Sequence, residues 1–140
     1  MSELFPRATP RRHDEDTLQR SVVQYLRWSL PPDAEFYAVP NGGQRHAREA
    51  ARLVGLGVRA GVPDLALLHA GRPLFIELKT PRGVVSSEQR QMHRKLDYCG
   101  GLVGVCRSLA EVEEWLRDAA AVPLRARLTV GGGTYAGYKD

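Results

Sequence analysis

The stretch "GVPDLALLHAGRPLFIELKTP", residues 61–81, constrains the fold more than any other part of the chain. It reads as two apolar β-strands, about 64–69 and 73–79, joined by "HAGR". Yet it carries Asp64, Glu77 and Lys79. Side chains alternate across a strand, so Phe75, Glu77 and Lys79 share one face and Leu74, Ile76 and Leu78 take the other. An even loop such as Ala70-Gly71 sets Asp64 directly opposite Glu77, at the roughly 4.5–5.5 Å Cβ separation of facing residues. An odd loop would set Asp64 against Leu78 and scatter the charges. The even register therefore gathers two carboxylates and one ammonium on one face.

Two carboxylates this close repel unless a cation or a proton separates them. An all-oxygen donor set with room for water suits Mg²⁺ or Mn²⁺. Lys79 can hold an attacking water or offset charge on a phosphate. A lysine here is notable because 17 of the 20 basic residues are Arg and three are Lys. Lys is the compact point charge with a tunable pKa. A lone E-x-K is weak evidence, since most are surface ion pairs. Pro63-Asp64 followed by Glu77-Leu78-Lys79 on adjacent strands, with a helix after them, is far more specific.

The rest of the chain frames that pair. At 140 residues with 43% apolar content, one domain with one core is expected. No apolar run is long enough for a membrane span, and the N-terminus lacks a signal-peptide pattern, so a cytoplasmic protein is expected. Cys99 and Cys106 are expected to stay reduced there, with Cys106 buried. Two Cys and four scattered His give no zinc pattern. The net charge of +4, with Arg crowded into the first 59 residues, suits a polyanion such as nucleic acid.

Along the chain, residues 1–12 read as a basic arm, 13–130 as one domain and 131–140 as a flexible Gly/Tyr tail. From Asp14, Leu18, Val22, Tyr25, Leu26 and Ser29 fall on one helical face. "EFYAV" at 35–39 reads as a strand, "PNGG" at 40–43 as a turn and "QRHAREAARLVGL" as a helix. Ser86 with Gln89 forms a capping box, followed by an inner stripe of Met92, Leu96 and Cys99. "LVGVC" at 102–106 is a short buried strand. Ser108 and Glu111 open a last helix whose Leu109, Val112, Trp115 and Leu116 face inward. "PLRARLTV" adds a candidate strand. The order α-β-α-β-β-α-β-α calls for an α/β fold, a mixed sheet with helices on its faces.

The "PD…ExK" pattern resembles the PD-(D/E)xK nuclease superfamily. More narrowly, the chain is similar to stand-alone VRR-NUC (virus-type replication-repair nuclease) domains of phages and bacteria. "EDTLQRSVVQYLR", "VPNGG", "REAARLVGLGVRAGVPDL", "FIELKTPRGVVSSEQRQMH" and "GVCRSLAEVEEWL" carry the likeness over about residues 14–118. The resemblance implies a restriction-endonuclease-like mixed β-sheet flanked by helices. It also implies metal-dependent DNA cleavage, selectivity for branched DNA such as four-way junctions, and a homodimer. By resemblance, Asp64, Glu77 and Glu15 are the metal carboxylates, Lys79 the catalytic lysine and Gln89 a further site residue. Asn41, Gly42, Gly43, Arg45, Arg48, Arg59 and His93 are candidate DNA contacts; Gln89 and His93 share a helix face. Mg²⁺ or Mn²⁺ is the expected cofactor, with no organic one. The expected dimer surface is the last helix with Leu124, Leu128 and Val130. The rival reading from another class is a binding module of the same fold that has lost cleavage.

Overall fold

A computed structural model of the chain describes residues 10–40, 47–128 and 135–137, with side chains described over 14–40 and 47–128. The chain builds helix α1 (Pro10–Ser29), strand β1 (Ala34–Ala38), helix α2 (Ala47–Gly55) and strands β2 (Leu65–His69) and β3 (Arg72–Leu78). Helix α3 (Ser87–Tyr98), strand β4 (Leu102–Cys106) and helix α4 (Leu109–Glu114) follow, and α4 continues as a π-helical turn over Trp115–Ala119. Two short strands, β5 (Ala126–Leu128) and β6 (Tyr135–Gly137), pair with each other. Two expected boundaries differ. Helix α1 starts at Pro10 rather than near Asp14, and the C-terminal stretch contributes β6. None of the described helices is long and apolar enough to cross a membrane.

The main sheet has the order β1-β2-β3-β4. β1 and β2, and β2 and β3, are antiparallel, and β3 and β4 are parallel. The parallel step is made by α3, because parallel neighbours need a long crossover. The result is the mixed α/β sheet flanked by helices that the sequence implies.

The β2–β3 connection sets everything downstream. His69 pairs with Arg72, so Ala70 and Gly71 form a two-residue loop. Both have positive φ, 51° and 75°. That is the signature of a type I′ turn, whose twist matches the twist of the strands it joins. The even loop is therefore real, and the register runs on to Leu65 opposite Ile76. Continuing it by one residue sets Asp64 opposite Glu77.

Strand alternation divides the sheet into two unlike faces. Leu65, Leu67, Leu74, Ile76, Leu78 and Cys106 point to one side. There they meet Val22, Tyr25 and Leu26 of α1 and Val112 and Leu116 of α4, all fully buried. Gly104 lies under Trp115, whose ring sits where a Cβ would be. The other face carries Ala66, Phe75 and Glu77 and is covered by α3, where Met92 is the buried residue. Gly101 fits against Phe75 for the same reason that Gly104 fits under Trp115.

Two expectations about packing need correction. Cys99 is exposed at the C-cap of α3 and is not part of its inner stripe. Leu124 and Leu128 pack against the core, so they are not spare apolar surface for a dimer, and Val130 lies outside the described residues. The large exposed apolar residues around α2 are Val54, Leu56 and Val58, and that helix buries none of its residues. Both cysteines are free. Burial pushes the Cys106 thiol up to about 12, so it stays a neutral core group.

Candidate active site

Asp64 is the first residue before β2 and is pinned on both sides. Its backbone carbonyl accepts from the Val39 amide at 2.9 Å. Its Oδ2 accepts from the Leu78 amide at 2.7 Å. The β2–β3 ladder ends at Leu65 and Ile76, and this carboxylate supplies an acceptor to β3 just past that end. The approach to Asp64 is fixed by Gly61, at φ 82°. A Cβ at this glycine would stand 2.5 Å from the Glu88 carbonyl oxygen. Only glycine allows the segment before Asp64 to lie against the first turn of α3 at that distance.

Glu77 is 1% exposed, and neither of its carboxylate oxygens has a hydrogen-bond donor among the described residues. Burial, followed by the charge and carboxyl group of Asp64, pushes its pKa up to about 8; the Lys79 ammonium and, less, the nearby Asp64 backbone amide, which is not within hydrogen-bond geometry, offset part of that rise. A buried carboxylate without donors is costly to keep in an apo fold. Lys79 Nζ lies 3.9 Å from Glu77 Oε1, at the outer limit of an ion pair. The lysine backbone is tied to the parallel neighbour, its amide donating to the Cys106 carbonyl at 3.0 Å.

Helix α3 closes this face. Ser86 Oγ accepts from the Gln89 amide at 3.1 Å, and Gln89 Oε1 accepts from the Ser86 amide at 2.9 Å. Gln89 is thus the reciprocal half of a capping box. One turn on, His93 Nε2 is buried with no hydrogen-bond partner among the described residues. Burial first, and then the Lys79 charge, lower the His93 pKa, while Asp64 acts in the opposite direction. His93 therefore faces both of those groups and presents a neutral imidazole to them.

The remaining candidates stand apart. Glu15 is half-buried and continues the α1 stripe of Leu18 and Val22. No three or more His, Cys, Asp or Glu among the described residues come together closely enough to hold one ion. The assembled acid group is the pair Asp64 and Glu77. Arg48 and Arg59 are exposed. Arg59 borders a groove of about 510 Å³ between Val39, Leu56 and Met92. Asn41, Gly42, Gly43 and Arg45 lie outside the described residues.

Two residues near the site gave no signal in the sequence. Gly83 is buried in the turn after β3, and Arg107 follows β4. Arg107 Nη1 donates to the Thr80 carbonyl at 2.8 Å and to the Gly83 carbonyl at 2.5 Å. Only knowledge that β4 runs parallel beside β3 brings residue 107 next to residue 80.

A mixed α/β sheet that presents a carboxylate pair and a lysine at the ends of adjacent strands has the architecture of a nuclease-type domain. The family model for the VRR-NUC domain matches residues 11–110, and the chain belongs to that family. A solved structure of a VRR_NUC domain protein superposes with a TM-score of 0.62 at 22% identity, covering 78% of this chain and 89% of that one. At that identity the likeness establishes the fold. No curated protein matches the chain.

Proposed function

We propose that the protein is a Mg²⁺- or Mn²⁺-dependent DNA endonuclease. The observation that carries this reading is Glu77: fully buried, with no hydrogen-bond partner for either oxygen among the described residues, facing Asp64 and 3.9 Å from Lys79. A fold keeps such a mismatch when a ligand resolves it. Two carboxylates form a hard oxygen donor set, which fits a divalent cation of this class. Asp64 and Glu77 would hold the ion; Glu15, which the structure does not bring to the pair, is not among its ligands. When bound, the ion supplies Lewis-acid stabilisation of phosphate charge and a more acidic water.

The chain's own groups do the rest. Lys79 places a positive charge where the phosphate's negative charge grows. His93, neutral and facing Lys79 and Asp64, offers a hydrogen bond to a phosphate oxygen or to water. Gln89 acts by capping α3, which aims His93. Arg48 and Arg59, with Asn41, Gly42, Gly43 and Arg45, are the proposed contacts to the DNA backbone.

The finer reading is selectivity for four-way or branched DNA by a homodimer, since twofold closure would let two sites address two strands. With Leu124 and Leu128 taken up by the core, Val54, Leu56 and Val58 supply the apolar surface for pairing. The test is to incubate the protein with labelled duplex, flap, fork and four-way junctions in Mg²⁺, Mn²⁺ or EDTA. Paired nicks in junctions that depend on metal are expected. Binding without cleavage under all conditions would favour a catalytically silent module. Light scattering at micromolar concentration tests the dimer separately.

A further inference from the structure

We propose that Arg107 is a positioning residue that aims the Lys79 ammonium, acting through the turn Thr80–Gly83. The turn closes on itself, the Gly83 amide donating to the Thr80 carbonyl at 3.0 Å. One guanidinium nitrogen of Arg107 has two N–H groups, and it reaches the carbonyls at both ends of that turn. A planar, permanently charged donor of this kind holds two acceptors in fixed relation. The turn in turn packs on the lysine. A Cβ at Gly83 would lie 3.4 Å from Lys79 Cδ and 3.1 Å from Thr80 Oγ1, so this glycine sits directly against the lysine stem.

Arg107 is itself anchored from behind. Its backbone amide donates to the Glu111 carboxylate, and the Glu111 amide donates to Ser108 Oγ at 3.1 Å. A continuous set of contacts thus runs from the cap of α4 through Arg107 and the turn to the lysine stem. Lys79 has four rotatable bonds and, among the described residues, one ion-pair partner, at 3.9 Å, a separation too long to fix the position of the ammonium alone. The clamp supplies the missing constraint.

The kinetic half of the test rests on the nuclease reading; the spectroscopic half does not. Arg107→Met is expected to lower kcat by about tenfold to a hundredfold, the scale of a misplaced catalytic group. KM, and the DNA affinity measured in Ca²⁺, should change less than about twofold. Arg107→Lys should recover part of the loss. The chain has three lysines, so ¹³C-lysine labelling, with Lys79→Ala for assignment, resolves the Lys79 ε-methylene signal. In Arg107→Met that signal should move toward the free-lysine position.

Weakened binding with unchanged kcat would overturn the proposal and make Arg107 a DNA contact. An unchanged Lys79 signal in Arg107→Met would also overturn it. If Arg107→Met does not fold, Gly83→Ala replaces it, because the added methyl would stand 3.1 Å from Thr80 Oγ1 and 3.3 Å from the Thr80 amide nitrogen and so shifts the turn that the clamp holds against the stem. The same kcat loss and signal shift are expected there, and their absence overturns the proposal. A wild type that cuts no DNA sinks the nuclease reading while the Lys79 signal still tests the clamp.

Discussion

The two faces of the main sheet come from the same strands and the same pleat, yet they do opposite things. Toward α1 and α4, Leu65, Leu74, Ile76 and Leu78 meet Val22, Leu26 and Leu116 in an apolar core. Burial there removes apolar surface from water and stabilises the fold at roughly 25 cal/mol per Å². Toward α3, one residue away along β3, Glu77 is equally buried but has no hydrogen-bond partner for either oxygen among the described residues. Its burial opposes folding. A strand can carry both because alternation sends neighbours to opposite sides. Stability built on one face tolerates strain on the other, which is where the proposed chemistry is placed.

The sharpest way to break this comparison is to mutate each face and ask what is lost. On the α3 face, Asp64→Asn, Glu77→Gln and Lys79→Ala are each expected to reduce cleavage by about 10³-fold or more. DNA binding in Ca²⁺ should survive. The double variants should lose little beyond the singles, as groups acting as one unit do. Gel-based cleavage of labelled DNA, with binding measured by anisotropy, reads both. Near-wild-type cleavage by Lys79→Ala would sink the mechanism. On the core face, Ile76→Ala or Leu116→Ala should lower stability by about 2–5 kcal/mol. Urea unfolding measures that loss. Cleavage per folded molecule should remain, since neither side chain faces the site.

A subtler contrast lies in how stability responds to pH without metal. The folded-state pKa of Glu77 is pushed up to about 8, above the ordinary carboxylate value of 4.5. Between those values the folded state binds more protons than the unfolded state. Stability therefore falls as pH rises through that window, the reverse of a salt-bridged carboxylate. Wild type minus Glu77→Gln is the relevant difference, because other groups titrate in both. The wild type should lose melting temperature relative to Glu77→Gln between pH 5 and 8. Millimolar Mn²⁺ at pH 8 should restore it through binding to the folded state, and should do so much less in Asp64→Asn. Parallel pH curves for the two proteins would mean that Glu77 is not a strained carboxylate.

These contrasts also show what the sequence could disclose. The Asp64–Glu77 register was legible because strand period, loop parity and charge placement all depend on local spacing. The inward stripe of α1 and the Ser86–Gln89 box were legible for the same reason. Cys99 was misplaced because a stripe spaced by three and four ran past the last turn of α3, where Gly100 turns the chain toward β4. Leu124 and Leu128 were misread as surplus because their partners, on α1 and α4, are distant in sequence. Arg107 and Gly83 gave no signal at all. Their roles depend on β4 lying parallel beside β3, which local spacing does not encode.

The smallest expected effect separates two roles for one residue. Gln89 was singled out for the site, and its side-chain oxygen closes the capping box with Ser86. If the cap is its role, Gln89→Glu keeps the box and adds a negative charge near a helix N-terminus, which is favourable. Stability should then hold or rise slightly. Gln89→Ala should lose up to about 1 kcal/mol, as should Ser86→Ala. Cleavage by Ser86→Ala and Gln89→Ala should fall together and modestly, since both act by loosening the start of α3 and so the aim of His93. A direct role at the phosphate gives another pattern. Gln89→Glu would then cleave poorly at full stability, because a third negative charge would stand near Asp64 and Glu77. Ser86→Ala would cleave normally. Thermal melts and single-turnover cleavage of these three variants distinguish the patterns, and we expect the first.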